Sequence, residues 1–459
     1  MNNLDFKQLK LLLIQIILIY LIILRIYMFV TRAKELVLSV QHLFAMAGAC
    51  LLVPLLTGLD PMVALLGSGV GTLIFHGCTK RKMPVFLASS FAFIPPIIAI
   101  GAAFNGDLAY AQGGIICVGV IYVLLSLIFR VISVEKVTKV FSPTVVGSMI
   151  VIIAFSLIPS ALNNIIYMDS ASLFNPITFV LAIITLLIAV AITKFGKGFV
   201  GQLGIIIALI IGYVLSIVLG LVDLTPVLTS PIVAVPNITL PKFDLVAIIT
   251  IIPLVLAVFM EHIGDVLVNG EVTGNNFLED PGLKRSFLGD GLATIFAGLI
   301  GAPVNTTYSE NTSLLAITKN YNPRLLRYTA VIAIILSFVA IIGAALQNTP
   351  SWVVGGISLY LYCMIAWIGY RNIKKNKSFQ SAYKTIIVVV MIVLGLGLSF
   401  ADDLGFQLMV YGFSLPEFAL AIAAIAGIIL SIIFTASGKI DDSPLTDYED
   451  GDGFAVKKE

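Results

Sequence analysis

The chain has 459 residues, of which 59% are hydrophobic and only 11% charged, with a formal net charge of +2. Apolar runs of about 20 residues recur along its whole length, which excludes a soluble globular domain and describes a polytopic α-helical membrane protein. No basic block with interleaved aromatics points to nucleic acid, the four cysteines lack paired spacing, and His42, His76 and His262 form no metal-ligand pattern, so no metal or other cofactor is expected.

The first apolar segment, Leu11 to Val30, is long enough to span a bilayer, with Lys7 and Lys10 before it and Arg25, Arg32 and Lys34 at its far end. Tyr27-Met28-Phe29-Val30 offers no small-residue cleavage site for a signal peptide. Positive charge on both flanks leaves the orientation unspecified. Three readings stand: an extra span, an interfacial helix, or a translated upstream stretch with Met28 as the usual start.

Fourteen membrane segments are predicted after it, near 37–57, 61–78, 84–102, 109–132, 143–162, 174–193, 199–222 and 244–268, then 285–300, 301–318, 326–346, 351–370, 382–400 and 416–436. Charge alternates between the connections. One set holds Arg32 and Lys34, the run Lys80-Arg81-Lys82, Arg130, Lys136, Lys139, Lys194, Lys197, Lys284 and Arg285. It continues with Lys319, Arg324, Arg327, a cluster from Arg371 to Lys384, and Lys439, Lys457 and Lys458 in the tail. The opposite set carries Asp60, Asp107, Asp169, Asp223, Asp402 and Asp403, with Lys242 as its base. The positive-inside rule makes the first set and the C-terminus cytoplasmic.

Segment ten is the unusual one. Ile300 to Lys319 (IGAPVNTTYSENTSLLAITK) combines Pro303, a β-favouring run Asn305-Thr306-Thr307-Tyr308, and the carboxylate of Glu310. A carboxylate at that depth costs about 2.5–3.5 kcal/mol, so it faces a cavity or a partner. Extended backbone there is tolerated only where protein buries it or where it lines a cavity. The combination describes a binding site at a transporter half-helix. Segment three carries a related run, Ala88-Ser89-Ser90-Phe91-Ala92-Phe93 before Pro95-Pro96, and Gln41-His42 of segment one is echoed by Glu261-His262 of segment eight. Fourteen segments as two sevens must be inverted repeats, because seven is odd. Segments three and ten would then meet as two half-helices, each preceded by a short extended stretch.

The runs Gln41-His42-Leu43-Phe44-Ala45-Met46, Ser89-Ser90-Phe91-Ala92-Phe93, Glu261-His262-Ile263-Gly264 and Asn305-Thr306-Thr307-Tyr308-Ser309-Glu310-Asn311 resemble the nucleobase–ascorbate transporter family, most closely its bacterial uracil permeases. The resemblance covers about Leu36 to Phe434. It implies a core domain (36–132 and 243–347) and a gate domain (133–242 and 348–436), between an N-terminal extension (1–35) and an acidic cytoplasmic tail (437–459). It further implies proton-coupled uptake of a nucleobase, uracil first, across the cell membrane, with a homodimer as an open option. Three positions depart from the family's pattern: Ser309 and Ser313 stand where glycine is usual, and Asp265 stands where uracil-type members carry a second histidine. Glu310 points to uracil, and Asp265 leaves xanthine or another purine open.

Uracil offers two N–H donors and two carbonyls in one plane. Glu261 and Glu310 suit the N–H edges, since a carboxylate only accepts. Backbone N–H groups at Phe91 and Ser309 suit the carbonyls and gain from the half-helix dipoles. Asp265 lies one turn after Glu261 on the same face, and two acids so placed disfavour joint ionisation, which makes Glu261 and Asp265 proton-coupling candidates; Glu310, an acid in the same low-dielectric site, is the third. His42 reads equally as a proton relay or as a hydrogen bond tying helices together. The resemblance brings Tyr308, Phe91 and Tyr362 near the pocket as packing or stacking rings, with Ala49 as a small wall. His76 reads as interfacial and Asp290 as a helix N-cap. Against transport stand two other classes, a passive channel and a membrane enzyme. The second needs a nucleophile–base pair or a metal cluster that no motif supplies.

Overall fold

The structure is a computed structural model that describes residues 34–46, 48, 50–129, 142–167, 174–401, 409–410 and 413–440. The expectations for the N-terminal extension, for Ala49, for Arg130, Lys136 and Lys139, and for the acidic tail beyond Ile440 lie outside the described residues.

Helices α1 (Lys34–Thr57) and α2 (Pro61–Cys78) lead to strand β1 (Leu87–Ser89), a 3₁₀ turn at Phe91–Phe93 and α3 (Ile94–Ala103). Next come α4 (Ala109–Ile128), α5 (Pro143–Ile166), α6 (Pro176–Phe195) and α7 (Gly204–Val218). The second half has α8 (Leu245–Ile251), which passes through a 3₁₀ turn at Ile252–Leu254 into α9 (Val255–Thr273), then α10 (Leu283–Ile300) and strand β2 (Asn305–Thr307). It ends with α11 (Ser309–Thr318), α12 (Arg324–Leu336), α13 (Ala340–Gln347), α14 (Ser351–Lys375), α15 (Ala382–Ser399), a hairpin of β3 (Met409–Val410) and β4 (Phe413–Ser414), and α16 (Leu415–Ala436). Among the described residues, 8 helices are long and apolar enough to cross a membrane, or 9 if the bent pair α12/α13 counts as one span.

The helix starts follow from local chemistry. Asp60 accepts from the backbone N–H of Met62 at 2.7 Å and of Val63 at 3.2 Å, while Pro61 occupies the first turn, where no N–H is required. Ser142-Pro143 and Asn175-Pro176 start α5 and α6 in the same way. One predicted segment, 326–346, is not continuous: α12 and α13 meet at 80°. No proline or glycine marks that break. Instead the carbonyl of Phe338 accepts from the N–H of Ala234 at 3.0 Å, so a distant loop takes an acceptor that a continuous helix would use itself.

The helices pack in two groups. In one, α2 lies on α10 and α12, and α4 on α10 and α8; in the other, α5 lies on α14, α15 and α16, and α6 on α7 and α14. Each group has a crossing where glycines face each other. A Cβ on Gly119 would stand 2.7 Å from the Gly291 carbonyl oxygen, and one on Gly291 would stand 2.8 Å from that of Gly119. Gly147 and Gly369 repeat this across α5 and α14, at 3.0 and 2.8 Å. Without side chains between them the backbones approach closely, and packing replaces the hydrophobic drive that lipid cannot supply.

At the centre β1 and β2 pair antiparallel, Leu87 opposite Thr307, Ala88 opposite Thr306 and Ser89 opposite Asn305. The N–H of Ser90 extends the ladder to the carbonyl of Val304 at 2.9 Å. All six strand residues are buried. Extended backbone is stable here because each strand supplies the other's hydrogen bonds away from lipid.

Candidate substrate site at the crossing of two strands

The strand pair brings the start of the Phe91 turn beside the start of α11. Phe91 is half-buried and packs against three separate apolar clusters, and its ring lies 6.5 Å from that of Tyr308 at 47°. Tyr308 is 5% exposed, and its hydroxyl donates to the carbonyl oxygen of Ser89, linking the two arms a second time. Ser309 and Glu310 are the first residues of α11, whose backbone leaves the extended conformation at Tyr308 (φ −124°, ψ 120°). The side-chain assignment made for Glu310 lies outside what the structure describes, whereas the backbone N–H assigned at Ser309 belongs to the first residue of α11.

Helix α9 runs alongside α11. Glu261 is exposed in the middle of this apolar helix. One turn later Asp265 accepts a hydrogen bond from the Thr307 hydroxyl at 2.7 Å, so the second acid is tied directly to β2. Hydrogen bonds to a carboxylate are worth about 1.5–3 kcal/mol. One further turn on, Asn269 donates to the carbonyl of Pro84 at 3.1 Å and to the hydroxyl of Thr312 at 3.0 Å, touching the chain ahead of β1 as well as α11. Helix α9 is therefore fastened to both arms.

His42 is buried on α1, and its Nδ1 donates to the Asn311 Oδ1 at 2.9 Å. Of the two readings of this histidine, the tie between helices is the one with a partner in place: α1 is bound to the residue that follows Glu310. Tyr362 is fully buried in the apolar cluster that also holds Phe93 and Phe259. It packs, and its ring makes none of the aromatic pairs found among the described residues.

Two readings are corrected. Asp290 does not cap a helix. α10 begins at Leu283, so Asp290 lies two turns inside it, fully buried, with Oδ2 3.0 Å from His262 Nδ1. The other ring nitrogen of His262 is 2.9 Å from the Ser286 hydroxyl, and this buried chain joins α9 to α10 immediately behind Glu261. His76 is not interfacial: it is buried, and Nε2 donates to the Val85 carbonyl at 2.9 Å.

Sequence reasoning gave no role to Asn305, Thr307 or Asn311. Asn305 donates to the carbonyls of Gly67 at 3.2 Å and Ala293 at 3.3 Å, and a Cβ on Gly71 would stand 2.5 Å from its amide nitrogen. The signal was present, since polar residues recur through an otherwise apolar chain at this depth, but their partners lie up to 269 residues away.

Residues 33–404 match the permease family of xanthine/uracil type. The "Probable uracil permease" of Pasteurella multocida is 39% identical over 372 residues, covering 81% of this chain and 88% of that protein. The uracil permease of Bacillus subtilis is 37% identical, covering 86% and 91%. The fold is similar to the transmembrane domain of the cyanobacterium bicarbonate transporter BicA, with a TM-score of 0.62 at 15% identity over 87% of this chain and 96% of that one. These relatives are permeases and not enzymes. On the family match and on both sequence relatives, the chain belongs to the nucleobase–ascorbate transporter family and is similar to its bacterial uracil permeases.

Proposed function

We propose that the chain imports uracil across the cell membrane in symport with protons, as fourteen segments in two inverted repeats, by movement of a core domain against a gate domain. The observation that carries this reading is the antiparallel pairing of β1 with β2. It joins two half-helix starts in corresponding positions of the two halves, next to an acid-bearing helix that hydrogen-bonds one of the strands. Glu261 and Glu310 accept from the uracil N–H groups, and the backbone N–H groups of Phe91 and Ser309 donate to its carbonyls. Glu261 and Asp265, one turn apart, share the transported proton. The relatives' names support uracil. Asp265, in place of the second histidine of uracil-type members, favours a purine such as xanthine as the second reading.

Uptake of radiolabelled uracil into proteoliposomes tests the proposal. An inward proton gradient is expected to drive accumulation, and unlabelled uracil to compete better than xanthine. Asp265→Asn is expected to flatten the pH dependence of uptake without a matching loss of equilibrium binding. Accumulation driven equally well by sodium at constant pH overturns the coupling, and stronger competition by xanthine overturns the substrate.

A further inference from the structure

The basic end of the α2/α12 pair carries a cluster that the transport site does not use. After α2 the chain turns through Lys80 and Arg81, both in the left-handed region (φ 55° and 59°), with the N–H of Arg81 donating to the His76 carbonyl at 2.8 Å. Helix α12 packs along α2 and begins at Arg324. One turn on, Arg327 is half-buried, and its Nη1 is shielded from solvent without an acceptor. The strongest charged neighbours of Arg327 are Arg81 and Arg324, both of its own sign. The acids on the adjoining turns have partners of their own: Asp280 pairs with Lys82, and Glu35 accepts from Asn322 at 3.5 Å.

A buried guanidinium donor with no acceptor is costly, and like charges around it add to the cost. A phosphate group relieves both, because its oxygens match the guanidinium fork and its charge is opposite. The surface of α12 says where such a phosphate comes from. Tyr328, Val331 and Ile335 are 43, 44 and 62% exposed at spacings of three and four, an apolar stripe leading away from the arginines along one helix face. A headgroup on the arginines leaves an acyl chain lying along that stripe, with Tyr328 at the interface.

We propose that Arg81, Arg324 and Arg327 form a phosphate-group site filled by the headgroup of an anionic phospholipid. The assignment stands independently of the transport reading. The full-length protein, purified in a neutral detergent, is titrated with dioleoyl phosphatidylglycerol or dioleoyl phosphatidylcholine, and bound lipid is counted by native mass spectrometry. A basic side chain near the surface contributes about 1 kcal/mol, or about fivefold, so the wild type is expected to prefer the anionic lipid by well over tenfold. Arg81→Gln is expected to lower that preference about fivefold, and Arg81→Gln with Arg327→Gln to lower it about 25-fold, leaving only the share of Arg324. Arg327→Lys, which keeps the charge and loses the fork, is expected to fall between. Equal thermal midpoints in phosphatidylcholine establish that the variants are folded. Inorganic phosphate in a third titration separates the sources. Displacement of the lipid by phosphate supports the shared site, whereas binding of phosphate with no preference between the lipids overturns the lipid assignment. A preference for phosphatidylglycerol that is undiminished in the double variant overturns the site.

Discussion

The two arms that cross at the centre share a backbone and differ in chemistry. The β1 arm, Leu87-Ala88-Ser89, is held from outside: Thr72 on α2 accepts from the Leu87 N–H at 2.9 Å, and the arm continues into the apolar, proline-bearing α3. The β2 arm holds itself through its own side chains. Asn305 reaches α2 and α10, Thr307 reaches Asp265, and in α11 Asn311 meets His42 while Thr312 meets Asn269. The same extended-then-helical backbone thus serves once as an apolar platform and once as a polar hub. The lesson is that a shared backbone path in two arms does not distribute the chemistry evenly between them.

Exchanging equivalent residues puts this contrast at risk. The largest effect is expected from Asn305→Ala, which removes two buried side-chain hydrogen bonds to the Gly67 and Ala293 carbonyls, at about 1 kcal/mol each, and leaves a gap beside Gly71, whereas its strand partner Ser89, substituted by Ala, is expected to cost less than about 1 kcal/mol. Thermal unfolding of both variants in one detergent measures the difference, and equal losses erase the asymmetry. Next comes Glu310→Gln, in which an acceptor oxygen becomes a donor. The loss of order 1–2 kcal/mol is expected to weaken uracil binding roughly tenfold while affecting xanthine less. Calorimetry with both ligands at one pH decides it, and an unchanged uracil affinity removes Glu310 from the site. Thr307→Val, which removes the donor to Asp265, is expected to weaken uracil binding by about fivefold, equivalent to about 1 kcal/mol. The Thr306→Val control, one residue away, is expected to leave affinity alone.

The smallest effect belongs to the connections. The Lys242 ammonium 2.6 Å from Asp107 holds the aspartate below its ordinary value of 3.8 and is itself raised above 10.5. For the aspartate, the contribution is complete above 3.8 and is lost as pH falls through its depressed value; for the lysine, it is complete below 10.5 and is lost as pH rises through its elevated value. The difference in thermal midpoint between wild type and Asp107→Asn is therefore expected to be small, present between those limits, and removed by high salt. A difference that persists in salt points to a role other than the ion pair.

Much of this was legible in the residues. Asp60-Pro61, Ser142-Pro143 and Asn175-Pro176 announce helix starts, and the β-favouring run before Ser309 and the related extended stretch before Phe91 fall where the strands form. Such signals are local, set by caps, period and propensity. What escaped reading depends on distant partners. Asp290 looked like a cap because helix starts are uncertain by a few residues, and its true partner, His262, is brought to it only by the packing of α9 on α10. The 80° break between α12 and α13 is hydrogen-bonded by a loop a hundred residues earlier. The polar links of β2 were invisible for the same reason, since nothing in Asn305 or Thr307 names Gly67 or Asp265.

Phe91 carries a consequence for wetting. One half-buried ring is shared by three apolar clusters, two of them reaching into the helix group of α5, α6 and α14. Any sliding of one group over the other strips that ring from a neighbour and admits water. At about 25 cal/mol per Å², every 40 Å² or so of ring newly wetted adds about 1 kcal/mol to the barrier. On the proposed site, a flat, largely uncharged ligand laid on the ring keeps that area dry during such sliding. Under the proposed movement of core against gate, an empty protein is slowed by hydration where a loaded one is not, and this bias needs no contact beyond a covered face.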